Sequence, residues 1–463
     1  MNRTARSLLI VAITLFSSTL AQADRVDDFV RARLSEQHIP GAAVAVIYNG
    51  RLVRAQGYGL ADVELNVPAT KETVFEIGSV TKQFTASAVM MLVQEGKINL
   101  DDRISKYLPP VPQAWNEITV RQLLTHTSGI RNYTGLSGFE LSKHLKQEEF
   151  IKTIAAYPLD FPPGERWSYS NTGYSLLGMI IEKASGQTYW DFMRRKIFRP
   201  LGMNSTTDRD PKTIIRNRAA GYEWVNGALE HRDTDFTDLT SAGAIVSTVL
   251  DLAKWEAALD SGTLLPKSIQ DQMWIPVKLS KGDAYPYGLG WNIESLLGHR
   301  VIRHGGLTAG FSATFTRYVD DHLTIIILCN LGDASLNSRI GRGIARFYVP
   351  ALSMDSITAS ADNDEQTTIA LKNELNRILK DEPTLEMYTP EKRATLSTDA
   401  FKSTAERLAA YGPVRSFKFL KEEKEDKRRA RLYRVALGQH TLYLRFALTE
   451  DGKLADFIIE EEQ

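Results

Sequence analysis

A serine followed three residues later by a lysine, Ser79-Val80-Thr81-Lys82, opens a run that is apolar nearly all round: Val80, Phe84, Val89, Met90, Met91, Leu92 and Val93. On a helix, residues three apart lie one turn from each other on a shared face, so this spacing brings a hydroxyl and an amine together. Burial disfavours the ammonium form and lowers a lysine's pKa, which makes the amine a proton acceptor. The free N–H groups of the helix's first turn supply positive potential, and the serine's own amide can serve a developing oxyanion. The pair reads as nucleophile and base. Ser-x-x-Lys also fits an N-cap followed by a surface lysine, so the reading depends on partners, and two are present. Tyr169-Ser170-Asn171 follows the loop Phe161-Pro162-Pro163-Gly164-Glu165; in an extended loop, residues two apart face the same way, so a phenol and an amide can share one pocket. His304-Gly305-Gly306 ends a strand, where two glycines let a substrate backbone lie close against the edge.

Other chemistries lack their residues. The single cysteine, Cys329, forbids an internal disulfide and closes an apolar strand from Leu323, which suits a small buried thiol. The eight histidines form no His-Glu-x-x-His or Cys/His cluster, so neither a metal nor another cofactor is expected. His126, in Thr125-His126-Thr127-Ser128-Gly129, reads as a scaffold histidine bonded to backbone. Trp167, Trp224, Trp255 and Trp291 read as core or rim residues. With 56 basic and 56 acidic residues the formal net charge is zero, which removes the electrostatic footprint of a nucleic-acid binder.

The elements that must position these groups follow from periodicity. The 463 residues exceed what one hydrophobic core accommodates. Residues 1–23 read as a signal peptide: Arg3 and Arg6, an apolar run from Leu8 to Leu20, then Ala21-Gln22-Ala23. No other apolar run is long enough to span a bilayer, so a periplasmic or secreted protein without stable membrane insertion is expected. A helix from Asp24 carries Val26, Phe29, Val30 and Leu34 and closes at Pro40-Gly41. The strands Ala42 to Tyr48 and Leu52 to Tyr58 flank the turn dipeptide Asn49-Gly50. Ser79 to Glu95, Gly173 to Ser185 and Thr248 to Leu259 read as helices; Arg300 to His304, Phe311 to Tyr318 and Leu323 to Cys329 read as strands. Strands at both ends with helices between them make an α+β unit over residues 24–350. Residues 351–368 are polar and suit a linker. Residues 369–463 read as a small α+β unit, with helices near Ala370 to Leu379 and Phe401 to Ala410 followed by four strands. The charge-dense segment Lys421 to Arg431 reads as a solvated hairpin tip.

The ordered set Ser79/Lys82, Tyr169/Asn171 and His304-Gly305-Gly306, with the phrases around His126 and Pro163-Gly164-Glu165, resembles the penicillin-recognising serine hydrolases. That group holds class C β-lactamases, DD-peptidases, D-aminopeptidases and β-lactamase-like esterases. The resemblance spans about residues 25 to 350. It implies an antiparallel sheet flanked by helices with an inserted helical subdomain, and a serine hydrolase working through an acyl-enzyme. It makes Ser79 the acylated nucleophile, with Lys82 and Tyr169 sharing proton transfer. Asn171 holds the substrate carbonyl and Lys82, and the backbone N–H of Leu307 joins that of Ser79 as oxyanion donor. His304 stands, ahead of Gly305 and Gly306, where many members carry lysine. A histidine near its ordinary pKa of about 6.5 is mostly neutral at pH 7, so the resemblance favours an ester, amide or D-amino peptide over a β-lactam. A β-lactamase or DD-carboxypeptidase acting on cell-wall peptide is one alternative, and a non-catalytic penicillin-binding or peptidoglycan-recognition protein another. The expected partner is a small-molecule or peptide substrate. The C-terminal unit, similar to the cystatin or nuclear-transport-factor-like cone, is a candidate for self-association.

Overall fold

The computed structural model describes residues 25–136, 139, 145–232, 240–425 and 428–462. The expected leader lies outside them. The chain divides into two compact units that meet between Pro350 and Ala351. The first is built on a seven-stranded antiparallel sheet with the order Asn292–Leu296, His299–Thr308, Phe311–Tyr318, Leu323–Cys329, Gly41–Tyr48, Arg51–Asp62, Val67–Pro68. The two chain ends of the unit lie side by side at its centre, in register from Ala42 opposite Cys329 to Tyr48 opposite Leu323. Both central strands are continuous apolar runs because both of their faces are covered. The Asn49-Gly50 turn takes positive φ at both residues, 51° and 71°, as a tight hairpin requires. The helix over residues 25–36 buries Val26, Val30 and Leu34. Cys329 is buried, its thiol pushed up by burial and donating to Asn337 Oδ1 at 3.1 Å.

The run that begins at Ser79 starts differently from a plain helix. Gly78–Val80 forms one 3₁₀ turn, and the α-helix extends over Thr81–Gln94. This helix is buried nearly all round, and its polar side chains have internal partners. Thr85 Oγ1 meets Tyr189 Oη at 2.8 Å and donates to Ser241 O at 2.7 Å, while Ser87 Oγ donates to Gln83 O. A second departure sits at the strand read as Arg300 to His304, which runs on to Thr308. Its outer neighbour, Asn292–Leu296, pairs only as far as Arg303, leaving residues 304–308 with an uncovered outer edge against the Gly78–Val80 turn.

The second unit is a four-stranded antiparallel sheet, Val414–Glu425, Arg428–Leu437, His440–Thr449 and Leu454–Glu462 in sequence order. Its helices include Glu365–Ile378 and Asp399–Ala410, and its core centres on Leu375, Tyr433, Leu442, Leu444 and Phe446. The span read as a linker is partly structured: Met354–Ser356 is a 3₁₀ turn, and the first helix starts at Glu365 with Asp364 as its cap. The reading of Lys421 to Arg431 as a solvated tip fails at Arg431, which is 1% exposed. Its guanidinium reaches Asp362 Oδ1 at 2.5 Å, Glu422 Oε2 at 2.7 Å and Tyr433 Oη at 2.7 Å. The acids that made 351–368 look like a linker therefore anchor a buried cation. Replacing Arg431 by methionine takes the guanidinium from two carboxylates and a phenol, leaving Asp362 and Tyr433 only their bonds to Thr368 and, for Asp362, to Asp364 N. It is expected to lower the unfolding free energy of this unit by about 3 kcal/mol, read by denaturant titration.

Candidate active site

The 3₁₀ turn holds Ser79 at the surface of a cleft, half-buried, with Lys82 directly beneath it and fully buried. Lys82 Nζ lies 3.0 Å from Ser79 Oγ, 2.7 Å from Asn171 Oδ1 and 2.8 Å from the carbonyl oxygen of Ala242. Burial drives the lysine pKa well below its ordinary 10.5. A neutral amine has two N–H groups and one lone pair. Asn171 Oδ1 and Ala242 O can only accept, so they take both N–H groups. The lone pair is left for the Ser79 hydroxyl proton.

Tyr169 Oη donates to the same Ser79 Oγ at 2.6 Å. Burial holds its phenol above the ordinary value, so it keeps its proton and remains a donor. Its ring also lies 4.7 Å from Lys82 Nζ. Tyr169 and Asn171 are not two residues of one extended loop. Ser170 caps a helix, accepting from Gly173 N at 3.3 Å, and Asn171 is that helix's first residue. The chain reverses character between them, yet both side chains reach the Ser79/Lys82 pair.

The uncovered strand edge runs past the serine. A Cβ on Gly306 would fall 1.9 Å from Ile77 O and 3.2 Å from Ser79 N, and one on Gly78 would fall 2.7 Å from Leu307 N. The amides of Ser79 and Leu307 are therefore held on neighbouring backbones that only glycine allows to approach so closely. The glycine requirement at 306 comes from the protein's own Ile77 carbonyl, whereas a Cβ on Gly305 would meet only Ala313 O at 3.8 Å. Gly306→Ala must push the strand away from the serine, and displacements of about 1 Å at a reacting centre cost about 10²-fold. We expect kcat to fall by at least that factor while the secondary structure, followed by circular dichroism, is kept.

His304 is brought to the same edge but is buried, 3% exposed, and faces inward. Burial, with Lys82 acting in the same direction, lowers its pKa to about 3. Its Nε2 meets Tyr287 Oη at 3.0 Å and its Nδ1 meets Gly305 O at 2.6 Å. His126 accepts from Ser170 N at 3.1 Å, consistent with a scaffold role, and also touches Tyr287 Oη. Leu307 presents its side chain outward, half exposed. Two contributors gave little warning in the sequence. Ala242 acts through its carbonyl, which no side-chain type reports. Trp167 stacks on Tyr285 with centroids 4.3 Å apart and lies beside Tyr169, so it is a wall of the cleft. Its position two residues before Tyr169 was the available signal.

Together, the antiparallel sheet, the inserted helical block and a half-buried serine met by a buried lysine and a tyrosine define a protein of β-lactamase architecture. The chain belongs to the beta-lactamase family, whose model, described as Beta-lactamase, matches residues 26–344. It is similar to Penicillin-binding protein 4* of Bacillus subtilis (strain 168), 31% identical over 315 residues, 64% of this chain and 69% of that one. Among solved structures, the octameric penicillin-binding protein homologue from Pyrococcus abyssi matches with a TM-score of 0.61 and 26% identity. That match covers 95% of this chain and 99% of the other. The D-stereospecific amidohydrolase from Streptomyces sp. matches with a TM-score of 0.56 and 30% identity, over 65% of this chain and 94% of that one.

Proposed function

We propose that the protein is an exported serine hydrolase that cleaves an ester, an amide or a D-amino peptide bond through an acyl-enzyme on Ser79. The observation that carries this is the placement of Lys82 Nζ, with both N–H groups engaged by acceptors and its lone pair turned to Ser79 Oγ. In the reaction, Ser79 Oγ attacks the substrate carbonyl carbon as its proton passes to Lys82 Nζ. The oxyanion forms between the backbone N–H groups of Ser79 and Leu307. Tyr169, hydrogen-bonded to the same oxygen, hands a proton to the departing alcohol or amine and is reprotonated from Lys82. The C–O or C–N bond breaks and the acyl group stays on Ser79. Water then attacks the acyl carbon by the reverse relay, releasing the acid and restoring the serine proton. Asn171 fixes the lysine and offers its amide N–H to the substrate carbonyl.

Similarity to a D-stereospecific amidohydrolase and to penicillin-binding proteins supports an acyl donor carrying D-configured or peptide-like groups. Among the described residues, no helix is long and apolar enough to cross a membrane. The test is a fluorophosphonate or fluorescent penicillin reacted with protein recovered from periplasm or medium, mapped by mass spectrometry. A panel of p-nitrophenyl esters, D-amino-acid amides and nitrocefin accompanies it. We expect an adduct on Ser79 of a chain beginning at Asp24, and turnover of esters or D-amino amides. A folded protein that no acylating probe modifies would instead be a binding protein.

A further inference from the structure

Between Tyr169/Asn171 and the oxyanion edge runs a chain of polar atoms to which the hydrolytic steps give no role. Ser170 N lies 3.1 Å from His126 Nδ1, His126 Nε2 lies 3.1 Å from Tyr287 Oη, Tyr287 Oη lies 3.0 Å from His304 Nε2, and His304 Nδ1 lies 2.6 Å from Gly305 O. For neutral rings the two ends fix the tautomers. A backbone N–H only donates, so His126 Nδ1 accepts and its Nε2 carries hydrogen. A backbone carbonyl only accepts, so His304 Nδ1 carries hydrogen and its Nε2 accepts. With neutral rings Tyr287 accepts from His126 and donates to His304; Tyr174, whose hydroxyl donates to Leu124 O at 2.8 Å, offers Tyr287 a second acceptor, so the chain runs through to His304 only when both imidazoles are neutral.

We propose that Tyr287 is a positioning residue whose hydroxyl completes this one-way chain, tying the Tyr169-Ser170-Asn171 segment to the Gly305-Gly306-Leu307 edge. The chain begins at the amide between Tyr169 and Asn171 and ends at a carbonyl two residues before Leu307. It thus sets the distance between the proton-transfer side of the cleft and its oxyanion side. Tyr287, His126 and His304 are all at most 3% exposed, so water cannot substitute for a missing link. The groups facing the chain are consistent with neutral rings. His304 faces Lys82, Arg303, Tyr169 and Tyr287. His126 faces Lys82, His304 and the rings of Tyr169, Tyr174 and Tyr287. No carboxylate stands among these groups, and Arg303 is itself paired with Glu294. A proton added to His304 Nε2 would set two N–H groups against one phenol oxygen and turn its hydroxyl away, and one added to His126 Nδ1 would set a ring N–H against the Ser170 N–H.

The kinetic arm of the test rests on the hydrolase reading; the spectroscopic arm does not. In ¹⁵N-histidine NMR of the unaltered protein, His304 is expected as the Nδ1–H tautomer and His126 as the Nε2–H tautomer. Both should stay neutral at and below imidazole's ordinary value of about 6.5. The opposite tautomer on either ring, or proton uptake at or above that pH, overturns the proposal whether or not the protein turns over a substrate. For Tyr287→Phe we expect kcat about 10²-fold lower, a smaller change in KM, and a new acid limb as His304 gains access to a proton. A Tyr287→Phe protein with unchanged kcat and pH profile also overturns it.

Discussion

Ser79→Ala should lower kcat/KM for every ester or D-amino amide the protein turns over by at least about 10⁴-fold, about 5.4 kcal/mol of transition-state stabilisation. The thermal midpoint should move by no more than about a degree. The two halves of this expectation come from one geometry. Ser79 sits half-buried on a single 3₁₀ turn, and its hydroxyl is the meeting point of Lys82 Nζ at 3.0 Å and Tyr169 Oη at 2.6 Å. Removing the oxygen deletes the atom proposed to form the acyl bond. Lys82 keeps Asn171 and Ala242 as partners, so no buried charge is created in its place, and Tyr169, whose hydroxyl loses its acceptor, is only half-buried and can turn it to water. Groups that act as a unit are not additive, so Ser79→Ala combined with Lys82→Met should be no slower than Ser79→Ala alone. Residual turnover above about 1% of the starting rate, in protein freed of contaminating hydrolase, would place the nucleophile elsewhere.

What could be read from the amino acids divides along a physical line between local and distant constraints. Ser79/Lys82 was legible because a three-residue spacing on an apolar helix is local, and the burial that neutralises the amine is written in the same run. The hairpin at Asn49-Gly50 and the paired terminal strands were legible for the same reason, through backbone preference and continuous apolar runs. The strand through His304 was read four residues short. Two glycines weaken strand propensity, and only the approach of the Ile77 carbonyl explains why they stand inside a strand. The polar stretch 351–368 looked like a linker since the partner of Asp362, Arg431, is 69 residues away. Neutrality at His304 followed from imidazole's ordinary pKa, but its structural basis is burial, with Lys82 and Arg303 acting in the same direction. Ala242 was illegible outright, since any residue supplies a carbonyl.

Lys82→Arg separates a base from a permanent cation at the centre of the site, and we expect it to lose about 10³-fold in kcat, as much as Lys82→Met. Were the lysine there to stabilise negative charge, arginine would retain most of its effect. Arginine cannot shed its proton in a protein and so never offers a lone pair to Ser79. The same argument fixes the pH dependence expected of the unaltered protein. At low pH the ammonium points three N–H groups at Ser79 Oγ, Asn171 Oδ1 and Ala242 O, and no acceptor remains for the serine proton. As pH rises through the folded pKa the lone pair appears and kcat/KM climbs. Burial stabilises the neutral form, so the limb lies well below the ordinary lysine value of 10.5 and leaves the base competent at neutral pH. In Lys82→Met this limb should be missing from the profile, the residual rate varying with hydroxide alone. An arginine variant within tenfold of the starting rate, or a lysine limb found near its ordinary value, would mean that Lys82 works charged and that Tyr169 must take the serine proton instead.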